Sequence, residues 1–224
     1  MGERSATHRF PSAATRFMMP KQRKPLQQVN FKGHISAMTE YRRHRIPGGT
    51  YFFTVNLYDR RTALLTAKIE ILGAAIRKVR ATKPFQINAF VVLPDHLHAV
   101  WTLPESDLDY SGRWRAIKTE FSKQIPPNEW RSASRAAKGE RGLWQRRFWE
   151  HTIRDDKDFA THIDYIHWNP VKHGLATSAA DWPHSSFHKA VENGLYPADW
   201  AGTGIDLYDA GEVDPGGMRS GSDG

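Results

Sequence analysis

The sequence contains no cysteine, which removes disulfides, thiolate metal sites and a cysteine nucleophile from consideration. It also lacks any run of the roughly 18–20 apolar residues that a membrane-spanning helix needs. Its basic N-terminus has no apolar stretch behind it of the kind a secretory signal carries. These absences lead us to expect a soluble protein of the reducing cytoplasm. Negative charge is short as well: 24 Asp and Glu against 32 Lys and Arg leave a net charge of +8 over 224 residues. A surplus of that size attracts polyanions at long range and says nothing about fold, so nucleic acid is the expected partner. The surplus is uneven, because five carboxylates between Gly202 and Gly224 face one arginine, Arg219.

What is present is enough apolar and aromatic sequence, 39% and 12%, for one good core, and the length favours one domain. Residues 1–38 are basic and Ser/Pro-containing without a hydrophobic period and read as a disordered extension. Residues 202–224 read as an acidic, Gly-rich flexible tail. The folded part is expected over residues 39–201. There, the β-branched and aromatic run Thr50 to Leu57 follows Gly48-Gly49 and predicts a strand. Ile69, Leu72, Ile76 and Val79 recur at helical spacing, and Pro84 ends that helix. Phe85 to Leu93 and Leu97 to Leu103 predict an antiparallel strand pair around Pro94-Asp95. Trp114 to Gln124 is a second helix and Asn128 to Gly142 a polar, basic loop. Phe148 to Arg154 is a short strand, and Lys157 to Trp168 a third helix closed by Asn169-Pro170. This order predicts an α+β fold of the split βαβ kind, an antiparallel sheet with helices packed on it.

Two features can carry chemistry. Asp95-His96-Leu97-His98 puts two imidazoles at the start of a strand, and alternation of faces projects His96 and His98 together while Leu97 points away. Two nitrogens so placed can grip one metal ion, and the same spacing also suits ordinary strand residues. In the third helix, at about 100° per residue, Phe159, Ile163 and Ile166 fall in one arc of about 60° and form a buried stripe. His162, Tyr165 and Asn169 fill an adjoining arc. Tyr165 and Asn169 are one turn apart and can serve one site; alternatively, Tyr165 caps the core edge with its hydroxyl in water.

The segment Tyr165-Ile166-His167-Trp168-Asn169-Pro170-Val171-Lys172-His173-Gly174-Leu175 resembles a signature of the REP-associated tyrosine transposases, relatives of the single-tyrosine HUH transposases. The likeness continues through Thr39 to Arg43, Gly48 to Leu57, Val92 to His98, Trp144 to His151 and Asp181-Trp182-Pro183. It implies the HUH endonuclease fold, His96 and His98 as ligands of Mg2+ or Mn2+, Tyr165 as the nucleophile, and Asn169 completing the metal site. The implied activity is cutting and joining single-stranded DNA at repeated extragenic palindromic hairpins through a 5′-phosphotyrosine, in a cytoplasmic, nucleoid-associated enzyme. The resemblance leaves monomer and homodimer both open. Residues 1–37 have no counterpart in that pattern, and Met38 to Tyr41 resembles a normal start.

Candidates for DNA phosphate contacts are Arg42, Arg43 and Arg45 before the first strand, Arg115 and Lys118 on the second helix, and Arg146, Arg147 and Lys172 near the site. Rival readings are a hairpin-binding regulator that does not cut, an RNA-binding module on the same layout, and a metal-dependent hydrolase in which Tyr165 is incidental.

Overall fold

The structure, a computed structural model, describes residues 45–202 apart from Trp130. The extension over 1–38, Arg42 and Arg43, and the tail beyond Gly202 lie outside the described residues. The chain separates into Met1–Arg42 and Arg43–Gly224, and everything described belongs to the second unit.

The four strands are β1 (Thr50–Asn56), β2 (Gln86–Val92), β3 (His96–Thr102) and β4 (Trp149–Thr152). They pair in the order β2-β3-β1-β4, every neighbour antiparallel. Because β3 lies between β1 and β2 and runs against both, β1 and β2 point the same way, which is the split βαβ arrangement.

Strand alternation sends the two faces of this sheet into two cores. Tyr51, Phe53, Val55, Leu97, Ala99 and Trp101 join Leu72, Ile76 and Val79 of α2 (Ile69–Thr82) and Trp114, Ile117 and Phe121 of α3 (Tyr110–Lys123). On the other face Phe52, Val91 and Val100 meet Ile163, Tyr165 and Ile166 of α5 (Asp156–Lys172). α3 begins four residues before the apolar pattern does, because Asp109 caps it by accepting from the Gly112 amide at 2.8 Å. The short helices are α1 (Leu64–Ala67), α4 (Ala133–Ala137) and α6 (Phe187–Glu192).

Two expectations are corrected. Within residues 128–142, expected as a polar loop, lies α4 (Ala133–Ala137), capped by Ser132. Its Arg135 is 7% exposed, donating to the carbonyls of Arg141 and Trp144, and Arg141 is clamped by Glu129 at 2.6 Å. Two of the basic side chains there are therefore structural bridges. The second correction concerns α5, which runs through Asn169-Pro170 to Lys172. Proline biases its predecessor away from the helix but does not forbid it, and the true stop is Gly174, at φ +66°. There Leu175 N donates to Pro170 O and Gly174 N to Val171 O, both at 2.9 Å, the paired bonds of a Schellman ending. Asn169 consequently stays helical, one turn beyond Tyr165.

A Cβ on Gly174 would meet nothing within 4 Å, so only the left-handed backbone resists a side chain. Gly174→Ala is expected to lower stability by about 1 kcal/mol, read as a lower urea midpoint with an unchanged slope, and Gly174→Asn should lose less.

Candidate functional site

β3 and α5 build the site between them. His96 and His98 rise from β3 on the α5 side of the sheet, 2% and 0% exposed, and Tyr165 and Asn169 come down from α5, 1% and 0% exposed. The His98 ring stands edge-on to the Tyr165 ring at 5.3 Å between centroids, and His96 edge-on to His98 at 5.0 Å. Phe52 of β1 packs against both His98 and Tyr165 and fills the floor. Tyr165 is thus fully packed, not a core-edge cap wetted by solvent.

Each imidazole is oriented through Nδ1. His98 Nδ1 bonds Thr54 Oγ1 at 2.9 Å. His96 Nδ1 bonds Asp95 Oδ1 at 2.7 Å, and Asp95 is itself held by Arg60 at 2.6 Å. Burial raises the Asp95 carboxyl, but hydrogen bonds from His96 and Arg60 outweigh it and bring the pKa to about 2. Fixing Nδ1 leaves Nε2 of each ring facing inward, the usual way a protein presents histidine to a metal. Both Nε2 atoms are buried without a partner, as are both amide atoms of Asn169. Burial lowers the His98 pKa well below its ordinary value, and the charges of Lys172 and Arg60 push it the same way, so the ring is neutral and its Nε2 lone pair is free to bind a cation. Orphaned buried nitrogens and oxygens are costly unless something occupies the space between them, and this donor set fits a divalent ion.

Lys172, expected to contact DNA phosphate, stands beside Tyr165: its Nζ donates to Tyr165 Oη at 3.3 Å and lies over the ring at 4.8 Å. A groove of 330 Å³ lies beside His96, lined also by Arg60, Arg61, Pro94, His173 and Leu175. The remaining candidate contacts lie elsewhere. Arg115, Lys118 and Arg146 line a cleft with Trp114, Trp144 and Phe148 on the α3 side. Arg45 lies over the Tyr110 ring on that same side. Arg147 is exposed next to Arg146.

His151, Asp158 and His162 also bring three ligand-type atoms within 4.8 Å of one another. However, His162 Nδ1 bonds the Asp158 carbonyl at 2.8 Å, and only a protonated nitrogen can do so. Arg154 further occupies Asp158 through its amide and guanidinium. The trio is satisfied as a tie between β4 and the start of α5.

Sequence reasoning missed Thr54, Asn56 and Arg60 around the histidines. The signal for the first two is in β1, where Phe52, Thr54 and Asn56 alternate with the apolar Phe53, Val55 and Leu57. One face of that strand therefore turns polar at the end nearest His96.

No family model matches the chain. It is 53% identical over 175 residues to the REP-associated tyrosine transposase of Escherichia coli (strain K12), covering 78% of this chain and 98% of that protein. A Haemophilus influenzae protein assigned to the same family is 46% identical over 178 residues, covering 79% of this chain and 100% of its own length. A solved REP-associated tyrosine transposase bound to a REP hairpin superposes with a TM-score of 0.66 at 52% identity, covering 78% of this chain and 98% of that one. With its four-stranded antiparallel sheet and near-complete coverage of these relatives, the chain belongs to the REP-associated tyrosine transposases, which are enzymes.

Proposed function

We propose that this transposase cuts and rejoins single-stranded DNA at REP hairpins, with Tyr165 as nucleophile and His96, His98 and Asn169 as ligands of a divalent ion. The observation that carries this reading is a buried tyrosine ring edge-on to His98, beside two unpartnered imidazole nitrogens, with an unpartnered buried amide one turn further along the same helix. Likeness to a relative bound to a REP hairpin supports the choice of DNA.

Tyr165 Oη attacks the scissile phosphorus, forming a P–O bond to tyrosine while the bond from phosphorus to the 3′ oxygen breaks. The phenol proton leaves, the departing oxygen takes up a proton, and the products are a 5′-phosphotyrosine and a free 3′-OH. Joining reverses the sequence with a 3′-OH as attacker, so no ATP is required. A bound divalent ion would withdraw charge from the phosphate oxygens as the transition state forms. His96 and His98, locked by Asp95 and Thr54, and the Asn169 amide would hold that ion. Imidazole with amide oxygen suits Mn2+ more easily than Mg2+. Lys172 would stabilise the charge developing on Oη through its ammonium.

The experiment is to incubate the protein with end-labelled hairpin DNA and Mn2+ and to look for a protein-linked label after denaturation. An adduct is expected; cleavage without one would favour a metal-dependent hydrolase. Lys172 has its own test. Lys172→Met is expected to slow cleavage about 10- to 100-fold near neutral pH and to recover part of that loss as the pH rises, since solvent base then replaces the missing ammonium. Lys172→Arg should retain most of the rate. A uniform loss at every pH, matched by weaker hairpin binding, would return Lys172 to a phosphate contact.

A further inference from the structure

Asn56, the last residue of β1, pairs across the sheet with His96. The Leu57 amide donates to the Asp95 carbonyl at 2.8 Å, so Leu57 and Asp95 form a hydrogen-bonded pair. Asn56 and His96 are then the neighbouring non-hydrogen-bonded pair, the kind in which facing side chains stand closest, with Cα atoms about 4.5 Å apart. In keeping with this, the Asn56 carbonyl turns away from β3 and accepts from the Gln145 amide at 3.0 Å. Two residues back, Thr54 and His98 occupy the equivalent pair, and their side chains bond each other at 2.9 Å.

Asn56 behaves differently. It is 2% exposed, and its Oδ1 has no partner. His96 cannot supply one, because its Nδ1 proton is committed to the Asp95 carboxylate, while its Nε2 is equally unpartnered. Leaving a buried acceptor unpaired is costly. An amide retained beside an open imidazole nitrogen, on the sheet face that carries His98 and under the helix that carries Asn169, points to a ligand the four groups share.

We propose that Asn56 Oδ1 is a further ligand of the divalent ion, supplied from β1; this rests on the metal reading of His96, His98 and Asn169. The chemistry favours an amide here. A second neutral oxygen donor moves a set containing two imidazoles toward the preference of Mn2+ and Mg2+. Being uncharged, it leaves the ion's full charge available to the phosphate, whereas a carboxylate at the same place would cancel part of it.

The test is calorimetric titration of Mn2+ into the full chain and into Asn56→Leu, Asn56→Asp and His98→Ala. Asn56→Leu keeps the side-chain volume and removes the orphaned oxygen; its Mn2+ Kd is expected to rise at least about tenfold, with metal-free thermal stability held or improved. Asn56→Asp is expected to bind Mn2+ at least as tightly as wild type yet to cleave hairpin DNA more slowly. Wild-type affinity in Asn56→Leu, beside lost affinity in His98→Ala, would overturn the role of Asn56 and leave the histidine site standing. Wild-type affinity in His98→Ala would overturn the metal reading itself, and this one with it. Should Asn56→Leu fail to fold, Asn56→Asp decides, and an affinity below wild type overturns the proposal.

Discussion

Tyr165→Phe is expected to bind REP hairpin DNA with an affinity within about twofold of wild type, to form no denaturation-resistant adduct and to release no 3′-OH fragment. The substitution deletes one oxygen from a side chain that is 1% exposed and packed by Phe52 and His98. The ring contacts stay, and the hydroxyl's 3.3 Å contact from Lys172 is lost. A single hydrogen bond to a charged donor carries about 1.5–3 kcal/mol at most, so the fold should persist. Chemistry does not survive, because the chain has no cysteine and no other tyrosine lies on α5. His167, two residues on, is turned another way, bonded to Ser186 and packed by Phe187 and Tyr196. A gel shift run beside a denaturing gel separates binding from covalent capture. Cleavage near the wild-type rate in Tyr165→Phe would sink the phosphotyrosine mechanism and leave the fold and family assignment intact.

His98→Ala is expected to lose Mn2+ binding and to slow cleavage by about a thousandfold. That figure follows from the several kcal/mol that a metal contributes at a phosphoryl oxygen, at about 1.36 kcal/mol per factor of ten. The variant also leaves a cavity beside Phe52 and Tyr165 and an unpaired Thr54 hydroxyl, so some stability is lost as well. His98→Gln, which refills part of the space, controls for that. Hairpin binding should persist in both, since the DNA surface is not altered. His151→Ala supplies the contrast: if its cluster with Asp158 and His162 is a structural tie, Mn2+ affinity should match wild type while thermal stability falls. Loss of Mn2+ binding in His151→Ala but not in His98→Ala would move the ion to that cluster.

Much of this architecture is legible in one sequence because the relevant signals are local. The period of two in Thr50–Asn56 and His96–Thr102, and the helical spacing of Leu72, Ile76 and Val79, are set by backbone geometry that each segment carries alone. Paired histidines on one strand face and the one-turn spacing of Tyr165 and Asn169 are readable for the same reason. The helix over Ala133–Ala137 escaped that reading: it is five residues long and too short for a period, and it is held by a buried arginine that composition alone marks as surface. The end of α5 was misplaced because proline is a bias and a left-handed glycine with its paired carbonyl bonds is a stop.

Read alone, the sequence places His96 with His98 and Tyr165 with Asn169 on shared faces. Which of those faces meet depends on the folded chain. The contact between Thr54 and His98 spans 44 positions, the ammonium of exposed Lys172 lies against Tyr165 Oη, and the cations of α3 sit on the far side of the sheet from those of α5. No local period encodes such meetings. They follow from sheet register, which one residue of slip would invert, and from burial of two separate apolar faces, which forces α5 onto the side where the histidines stand.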